Sequence, residues 1–336
     1  MMFARVPLFP EQASAFAPQV DHLFFFLLAV TGAVGLLVTL LLIGFGVRYR
    51  RGRVGPHTPR ITGSPRLETF WTLTPLVIFL GMFAWGAAVY HTLLEPPPDA
   101  EEVYVVGKQW MWKIQHTGGQ REINELHVAL GRPVKLMLTS EDVIHDFFVP
   151  AFRTKVDVIP GRYVTTWYRP TKTGTYHLFC SQYCGTGHAE MAGTVIVQEP
   201  AEYDQWLERH AEGSLALEGR KLFLKLQCIT CHNTESHARA PLLEGLYRRT
   251  VPLQGGGSVT ADESYLRESI LRPAAKVVQG WRPIMPTFEG QVSEEDLIKL
   301  VVYLKSLGRG DTPDRNEDSA APVGAPTTPE ERKGKK

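Results

Sequence analysis

Only four of the 336 residues are cysteine, too few to staple a chain of this length into a disulfide scaffold. Neither sign of charge prevails: 36 Lys and Arg face 35 Asp and Glu, so the strongly basic balance of a nucleic-acid binder is missing. There is no internal repeat, and Gly255-Gly256-Gly257 precedes no strand-to-helix signature, which excludes a phosphate-cradling glycine loop there. What the four cysteines have is position. Cys180 stands near Cys184, and Cys228 near Cys231, a clustering that points to metal or cofactor chemistry.

Charge is also absent locally. Leu23 to Val47 runs 25 residues without a charged side chain, and Thr69 to Leu94 runs 26. Each is long enough to cross a hydrocarbon core about 30 Å thick, and too long for a signal-peptide core. Buried core helices are the alternative, but these rarely run so far uncharged. Between the runs lie Arg48, Arg50, Arg51, Arg53, Arg60 and Arg66, opposed only by Glu68. A short arginine-rich loop stays cytoplasmic, so both termini are expected outside. Trp71, Trp85 and Tyr90 suit the two interfaces, or plain packing.

The expected organisation is an N-terminal segment 1–22, membrane helices 23–47 and 69–94, and a cytoplasmic loop 48–68. An outer β domain 95–200, a linker helix 201–212, an outer helical domain 213–310 and a disordered tail 311–336 follow. Glu95-Pro96-Pro97-Pro98-Asp99 makes a stiff exit from the membrane. The apolar period then changes to two. Val103 to Ile114 reads as one strand with a bulge near Gly107, and Val134, Leu136 and Leu138 alternate cleanly. Tyr163 to Tyr168, Thr175 to Cys180 and Gly193 to Val197 add further strands. Short strands between Gly and Pro turns read as a β-sandwich or Greek-key barrel.

The last two strands flank Cys180-Ser181-Gln182-Tyr183-Cys184-Gly185-Thr186-Gly187-His188-Ala189-Glu190-Met191. Thiolate, imidazole and thioether together suit copper. Two thiols in one loop can bridge a pair of copper ions; a structural zinc or a disulfide is the alternative, although Met is a poor zinc ligand. A second imidazole has to come from elsewhere. His145, at a strand end before Phe147-Phe148-Val149-Pro150, is the best candidate, with His177 as competitor and a surface imidazole as the bland reading.

The copper loop, the His145 segment, Gln109-Trp110-Met111-Trp112 and Asp157-Val158-Ile159-Pro160-Gly161-Arg162 resemble cytochrome c oxidase subunit II, which holds the binuclear CuA centre. The resemblance runs from the first membrane span to about Val197 and implies a cupredoxin-like fold. It implies that Cys180 and Cys184 bridge both coppers, that His145 and Met191 complete one, and that His188 with the Gln182 carbonyl completes the other. It makes Trp110 the residue at which electrons arrive, against a plain core aromatic. It also gives Glu68 a part in proton intake toward subunit I, against a plain interfacial anchor. Gln182 departs from the family's Glu, whose side chain helps bind magnesium in many relatives. That puts a magnesium role here in doubt, while the main-chain copper ligand is unaffected.

After Pro200 the pattern turns helical: Tyr203, Trp206 and Leu207 share a face, and Leu215 to Leu226 leads into Cys228-Ile229-Thr230-Cys231-His232. CxxCH lets two thiols bond a haem while the imidazole reaches its iron. A zinc site is the alternative, but no second Cys pair lies nearby. Met285, in Arg282-Pro283-Ile284-Met285-Pro286, is the sole methionine after His232 and the candidate distal ligand; His/Met ligation raises the potential. Pro241 matches the proline whose carbonyl accepts the proton of the haem histidine in cytochromes c. Ser293-Glu294-Glu295-Asp296 opens a helix to Leu307. Its stripe Leu297, Leu300, Val301, Leu304 suits packing on the 215–226 helix, with Phe223 and Tyr303 in contact. The region looks like a class I cytochrome c.

The fold class expected is therefore a multidomain membrane protein: a two-helix hairpin, an all-β cupredoxin-like CuA domain and an all-α class I cytochrome c domain. The function implied is that of a bacterial caa-type oxidase subunit II, with binuclear copper and one covalent haem c. It passes electrons from haem c to CuA and on to subunit I, which reduces oxygen to water. Implied partners are subunits I and III, an upstream cytochrome c or quinol–cytochrome c reductase, and the bilayer of the bacterial plasma membrane. A membrane-tethered di-domain carrier without an oxidase is the alternative. A copper-delivery protein and a quinol oxidase subunit fit the ligand set less well. Segment charges sharpen the neutral total: the β domain and its linker, residues 95–212, carry −5 and the haem domain +3, the sign pattern of an acceptor docking its donor.

Overall fold

The computed structural model describes residues 9–50, 63–210, 213–233 and 239–308. Two compact units are present, Met1–Leu215 with Phe288–Ile298, and Ala216–Thr287 with Lys299–Lys336. The first begins with helices α1 (Ala17–Arg48) and α2 (Pro65–Leu94), both long and apolar enough to cross a membrane. Their large apolar side chains face outward, Leu42 at 68% and Phe83 at 74% exposure, which only a nonpolar solvent tolerates along two whole helices. Arg48 ends α1 and Arg66 stands in the first turn of α2; Arg51, Arg53 and Arg60 lie outside the described residues, as does the expected tail.

Both helices start earlier than the uncharged runs. Pro65 supplies the preset φ of a first helical residue. At α1 the cause is tertiary, because the segment before it belongs to the β domain. Ala13 and Phe16 are buried in the sandwich core, and Phe16 meets the Trp167 ring edge-on at 4.6 Å. Ala13 N–H donates to the Ala151 carbonyl at 3.0 Å, and Ser14 Oγ to that of Phe152 at 2.7 Å. Inside α1, Asp21 is buried against Arg153, with Nε to Oδ1 at 2.7 Å and Nη2 to Oδ2 at 2.8 Å. Residues 13–21 thus strap the first helix to the sandwich. Hydropathy alone cannot register this, since it reads Asp21 as an isolated polar residue.

The sandwich has ten strands. They are β1 (Glu101–Lys108), β2 (Met111–His116), β3 (Arg121–Ile123), β4 (Glu125–Ala129) and β5 (Val134–Ser140), followed by β6 (His145–Val149), β7 (Thr154–Val158), β8 (Val164–Tyr168), β9 (Gly174–Cys180) and β10 (Ala192–Gln198). One sheet runs β3-β2-β1-β5-β8 and the other β4-β10-β9-β6-β7. Between them lie Trp112, Leu136, Phe147, Leu178 and Val195, the inward halves of alternating strands.

The expected single bulged strand from Val103 to Ile114 is instead the β1–β2 hairpin, with Lys108 opposite Met111 and Gln109-Trp110 at the turn. Gly107 is no bulge. It pairs regularly with Trp112, and a Cβ there would meet the His145 ring at 2.9 Å, so glycine lets β1 pass that imidazole.

Helix α3 (Pro200–Arg209) docks Tyr203 and Trp206 on the sandwich through a buried polar network. Tyr203 O–H donates to Glu101 Oε1 at 2.5 Å, and His116 places Nδ1 3.2 Å from the Tyr203 oxygen and Nε2 2.9 Å from Glu122 Oε1. Burial disfavours a charge on His116, but Glu101 and Glu122 outweigh it and raise its pKa. Glu122 also receives His127 Nδ1 at 2.5 Å, and the His127 ring stacks on Trp206 at 4.5 Å.

The second unit holds nearly all of α4 (Leu215–Lys225) and, from Lys299 on, the later part of α6 (Glu294–Ser306), which meet so closely that a Cβ on Gly219 would stand 2.0 Å from the Lys299 carbonyl oxygen. Phe223 and Tyr303 meet at 5.4 Å between ring centroids, as expected. Ser293 Oγ accepts the Asp296 N–H at 3.1 Å, the predicted cap. A small hairpin, β11 (Thr250–Pro252) with β12 (Ser258–Thr260), and helix α5 (Glu263–Leu271) complete the unit. Sequence reading had not resolved these last three elements.

Candidate metal and haem-attachment sites

The loop between β9 and β10 is closed at its neck, where Cys180 N–H donates to the Met191 carbonyl at 3.1 Å. Cys180 and Met191 therefore face each other across the hairpin, and the ten residues between them fold back over the pole of the sandwich. Cys180 Sγ lies 3.7 Å from Cys184 Sγ and 3.2 Å from the Gln182 carbonyl oxygen. Cys184 Sγ lies 3.5 Å from His188 Nδ1 and 3.8 Å from Met191 Sδ. Cys180, Cys184 and Met191 are buried.

His145 arrives from the neighbouring strand. Phe147 of β6 pairs with Cys180, so His145, two residues along, shares the inward face. A ring nitrogen of His145 and both sulfurs lie within 4.8 Å of one another. Strand parity removes the competitor, because His177 is exposed on the opposite face of β9 and stacks on Phe179.

The donor set fits a soft or borderline cation. His145 Nδ1 is buried without a hydrogen-bond partner, a cost that a metal ion would relieve. Burial opposes ionisation of the Cys180 thiol, but His145 and backbone groups of Asp146 and Gln182 outweigh it and bring Cys180 well down. Burial, then the neighbouring Cys180, hold Cys184 up. The pair yields one thiolate readily and the second only to a cation.

Trp110, placed in a strand by sequence reading, sits at the β1–β2 turn above this loop, 37% exposed. Its Nε1 donates to the Cys184 carbonyl at 3.2 Å, as does Gln109 Nε2 at 2.8 Å. Gly187 lies under the indole, where a Cβ would come 2.5 Å from Cδ2. Asp142, which sequence reasoning passed over, has Oδ1 2.8 Å from His145 Nε2. Its signal was a carboxylate three positions before a candidate ligand.

The second site is one helical turn. Cys228–Thr230 form a short 3-10 turn, and both Cys231 and His232 donate N–H to the Cys228 carbonyl, at 3.2 and 3.1 Å. Positions 228, 231 and 232 thus share a face. Burial lowers the pKa of His232, leaving it neutral. Its Nδ1–H donates to the Pro241 carbonyl at 2.8 Å, so Nε2 carries the free lone pair. Met285 is half-buried in the segment between α5 and α6. The large apolar side chains exposed in this unit, among the described residues, are Leu224, Ile229, Leu242 and Ile284. Each stands beside or one turn from one of these residues, so an apolar macrocycle held by Cys228 and Cys231 fits as the group that covers them. Glu68 is exposed in the first turn of α2, where Oε1 accepts the Ser64 N–H at 3.3 Å, a capping contact.

Known families divide along the same lines. The transmembrane domain of cytochrome c oxidase subunit II matches residues 4–85, its periplasmic domain matches 119–199, and cytochrome c matches 216–308. The chain is 32% identical to the alternative cytochrome c oxidase subunit 2 of Bradyrhizobium diazoefficiens, over 54% of this chain and 76% of that one. It is 34% identical to cytochrome c oxidase subunit 2 of Thermostichus vulcanus, over 59% and 77%. Against the same subunit of Alkalihalophilus pseudofirmus it is 28% identical, over 83% and 84%.

Proposed function

We propose, from the premise that the chain belongs to the cytochrome c oxidase subunit II family and carries a cytochrome c domain at its C terminus, that it relays single electrons from an external donor to the oxygen-reducing subunit. The route runs from haem c to CuA and on to subunit I, where oxygen becomes water. The observation that carries this reading is the convergence of two cysteines, His145, His188 and Met191 on one buried pole, a soft donor set.

In this reading Cys180 and Cys184 would serve both of two copper ions, with His145 and Met191 serving one and His188 and the Gln182 carbonyl the other. Cys228 and Cys231 would carry the haem, His232 and Met285 would be offered to its iron, and Pro241 orients His232. Both groups, when bound, supply one-electron exchange. The chain's part is to exclude water with the sandwich core, to fix the ligands on a closed loop, and to offer Trp110 at the surface where electrons arrive. Glu68 serves proton intake from the cytoplasmic edge.

We assign residues 95–200 to the copper domain, 201–212 to the linker and 213–310 to the haem domain. Both outer domains and both termini face the extracytoplasmic side of the bacterial plasma membrane. Subunits I and III are the partners there, with cytochrome c or a quinol–cytochrome c reductase upstream.

The test is metal and haem analysis of the full-length chain purified in mild detergent. Two copper ions and one covalent haem c per chain are expected, with Cys184→Ser abolishing copper and sparing haem. Haem a and oxygen consumption should co-purify; their consistent absence would leave a tethered di-domain carrier in place of the oxidase subunit.

A further inference from the structure

Asp142 lies outside the ligand set proposed above and touches two of its parts. It stands in the turn between β5 and β6. Its Oδ1 accepts the Val143 N–H at 2.7 Å and lies 2.8 Å from His145 Nε2, while Oδ2 accepts the Gln109 N–H at 2.8 Å. An ionised carboxylate only accepts, so His145 carries its proton on Nε2 and keeps the Nδ1 lone pair, on the buried atom that has no hydrogen-bond partner. A carboxylate behind a ligating imidazole fixes the ring and raises its basicity.

The other arm of Asp142 reaches the Trp110 turn. Gln109 opens that turn, and on its far side Gln109 Nε2 and Trp110 Nε1 both bind the Cys184 carbonyl. The turn is therefore held by Asp142 at one end and by the backbone of a copper-loop cysteine at the other. His188 has no such backing: its contacts are Cys184 Sγ at 3.5 Å and the Tyr183 ring at 5.8 Å, and no carboxylate hydrogen-bonds to it among the described residues.

We infer that Asp142 is a positioning residue that holds the His145 imidazole and the Trp110 turn as one unit, and that the metal pair consequently has one carboxylate-backed histidine and one without, sharing its electron unequally. This rests on the ligand assignment above. The anionic hydrogen bond favours the oxidised metal on the His145 side, so removing it raises the midpoint potential and brings the two histidines closer to equivalence.

The experiment uses the copper-loaded full-length chain in detergent and reads copper content, the nitrogen couplings of the two histidines by pulsed EPR, and the copper midpoint potential. Asp142→Asn keeps the shape and removes the charge. Glu141→Gln removes a neighbouring charge that pairs with Lys108 and Lys113 instead of His145. Unequal couplings are expected in the unmodified protein. Asp142→Asn should make them more alike, raise the potential and weaken copper binding about 10- to 100-fold, with Glu141→Gln unchanged. The inference is overturned by unchanged couplings and potential in Asp142→Asn, or by the same shifts in Glu141→Gln. If Asp142→Asn does not accumulate, the unmodified protein decides: unequal couplings support the inference and equal couplings sink it. Copper retained by Cys184→Ser would instead overturn the ligand assignment.

Discussion

Adding one methyl group at Gly187 tests whether the Trp110 indole is held where electrons arrive. A Cβ at Gly187 would sit 2.5 Å from Trp110 Cδ2 and 2.7 Å from Cε3, whereas ordinary carbon contacts begin near 3.5 Å. The ring must retreat by about 1 Å, and its outer side is open enough to allow this without unfolding the sandwich. Trp110 Nε1 is 3.2 Å from the Cys184 carbonyl, so the same retreat carries it beyond hydrogen-bond range at a cost of about 0.5–1.5 kcal/mol. Outside the adjoining residues 186 and 188, the three atoms nearest the new methyl all belong to the indole. Gly187→Ala should therefore keep its copper and its copper absorption, yet accept electrons from a reduced external cytochrome c up to about 100-fold more slowly. Stopped-flow reduction of the copper band measures this. Trp110→Phe, which lacks the indole donor, should slow arrival too, and the double variant should be less than additive because both changes act on one contact. An unchanged rate in Gly187→Ala refutes the reasoning.

Three further outcomes are expected. Met191→Leu conserves volume at a buried position, so the fold should survive with less than about 1.5 kcal/mol lost, while the near-infrared copper band shifts and haem absorption stays intact. Burial disfavours charge on His116, but Glu101 and Glu122 outweigh it and raise its pKa. Stability from the charged ring is thus complete below the ordinary histidine pKa and lost as pH rises through the higher folded value. Thermal unfolding followed as pH rises from the ordinary histidine pKa should show that loss in the unmodified chain and a flatter profile in His116→Gln. Gly219→Ala places a methyl 2.0 Å from the Lys299 carbonyl oxygen, which should force α4 and α6 apart and destabilise the second unit by about 1–3 kcal/mol, read by denaturation of the haem absorption.

Features spelled by neighbours in the chain were legible in advance. The two uncharged runs, the CxxCH turn and the loop from Cys180 to Met191 each complete their chemistry within a dozen residues or through simple periodicity, so spacing alone conveys them. The competition between His145 and His177 was settled only by β9, whose alternation puts His177 and Cys180 on opposite faces. Errors came where two meanings share one pattern. A strand with a bulge and a tight hairpin both put a glycine between alternating apolar residues, and pairing with β5 and β3 on either side resolves Val103–Ile114 into two strands.

The sequence by itself determined the order of the modules and the kind of metal each can hold, because residue type and local spacing carry both. Tertiary structure alone decided what surrounds those donors. Asp142 meets Gln109 across 33 residues of chain, and Asp21 meets Arg153 across 132. His116 lies between Glu122 and a tyrosine 87 residues away whose hydroxyl donates to Glu101, and the two carboxylates raise its pKa against the effect of burial. Such contacts depend on where whole strands and helices pack, and no local pattern encodes that.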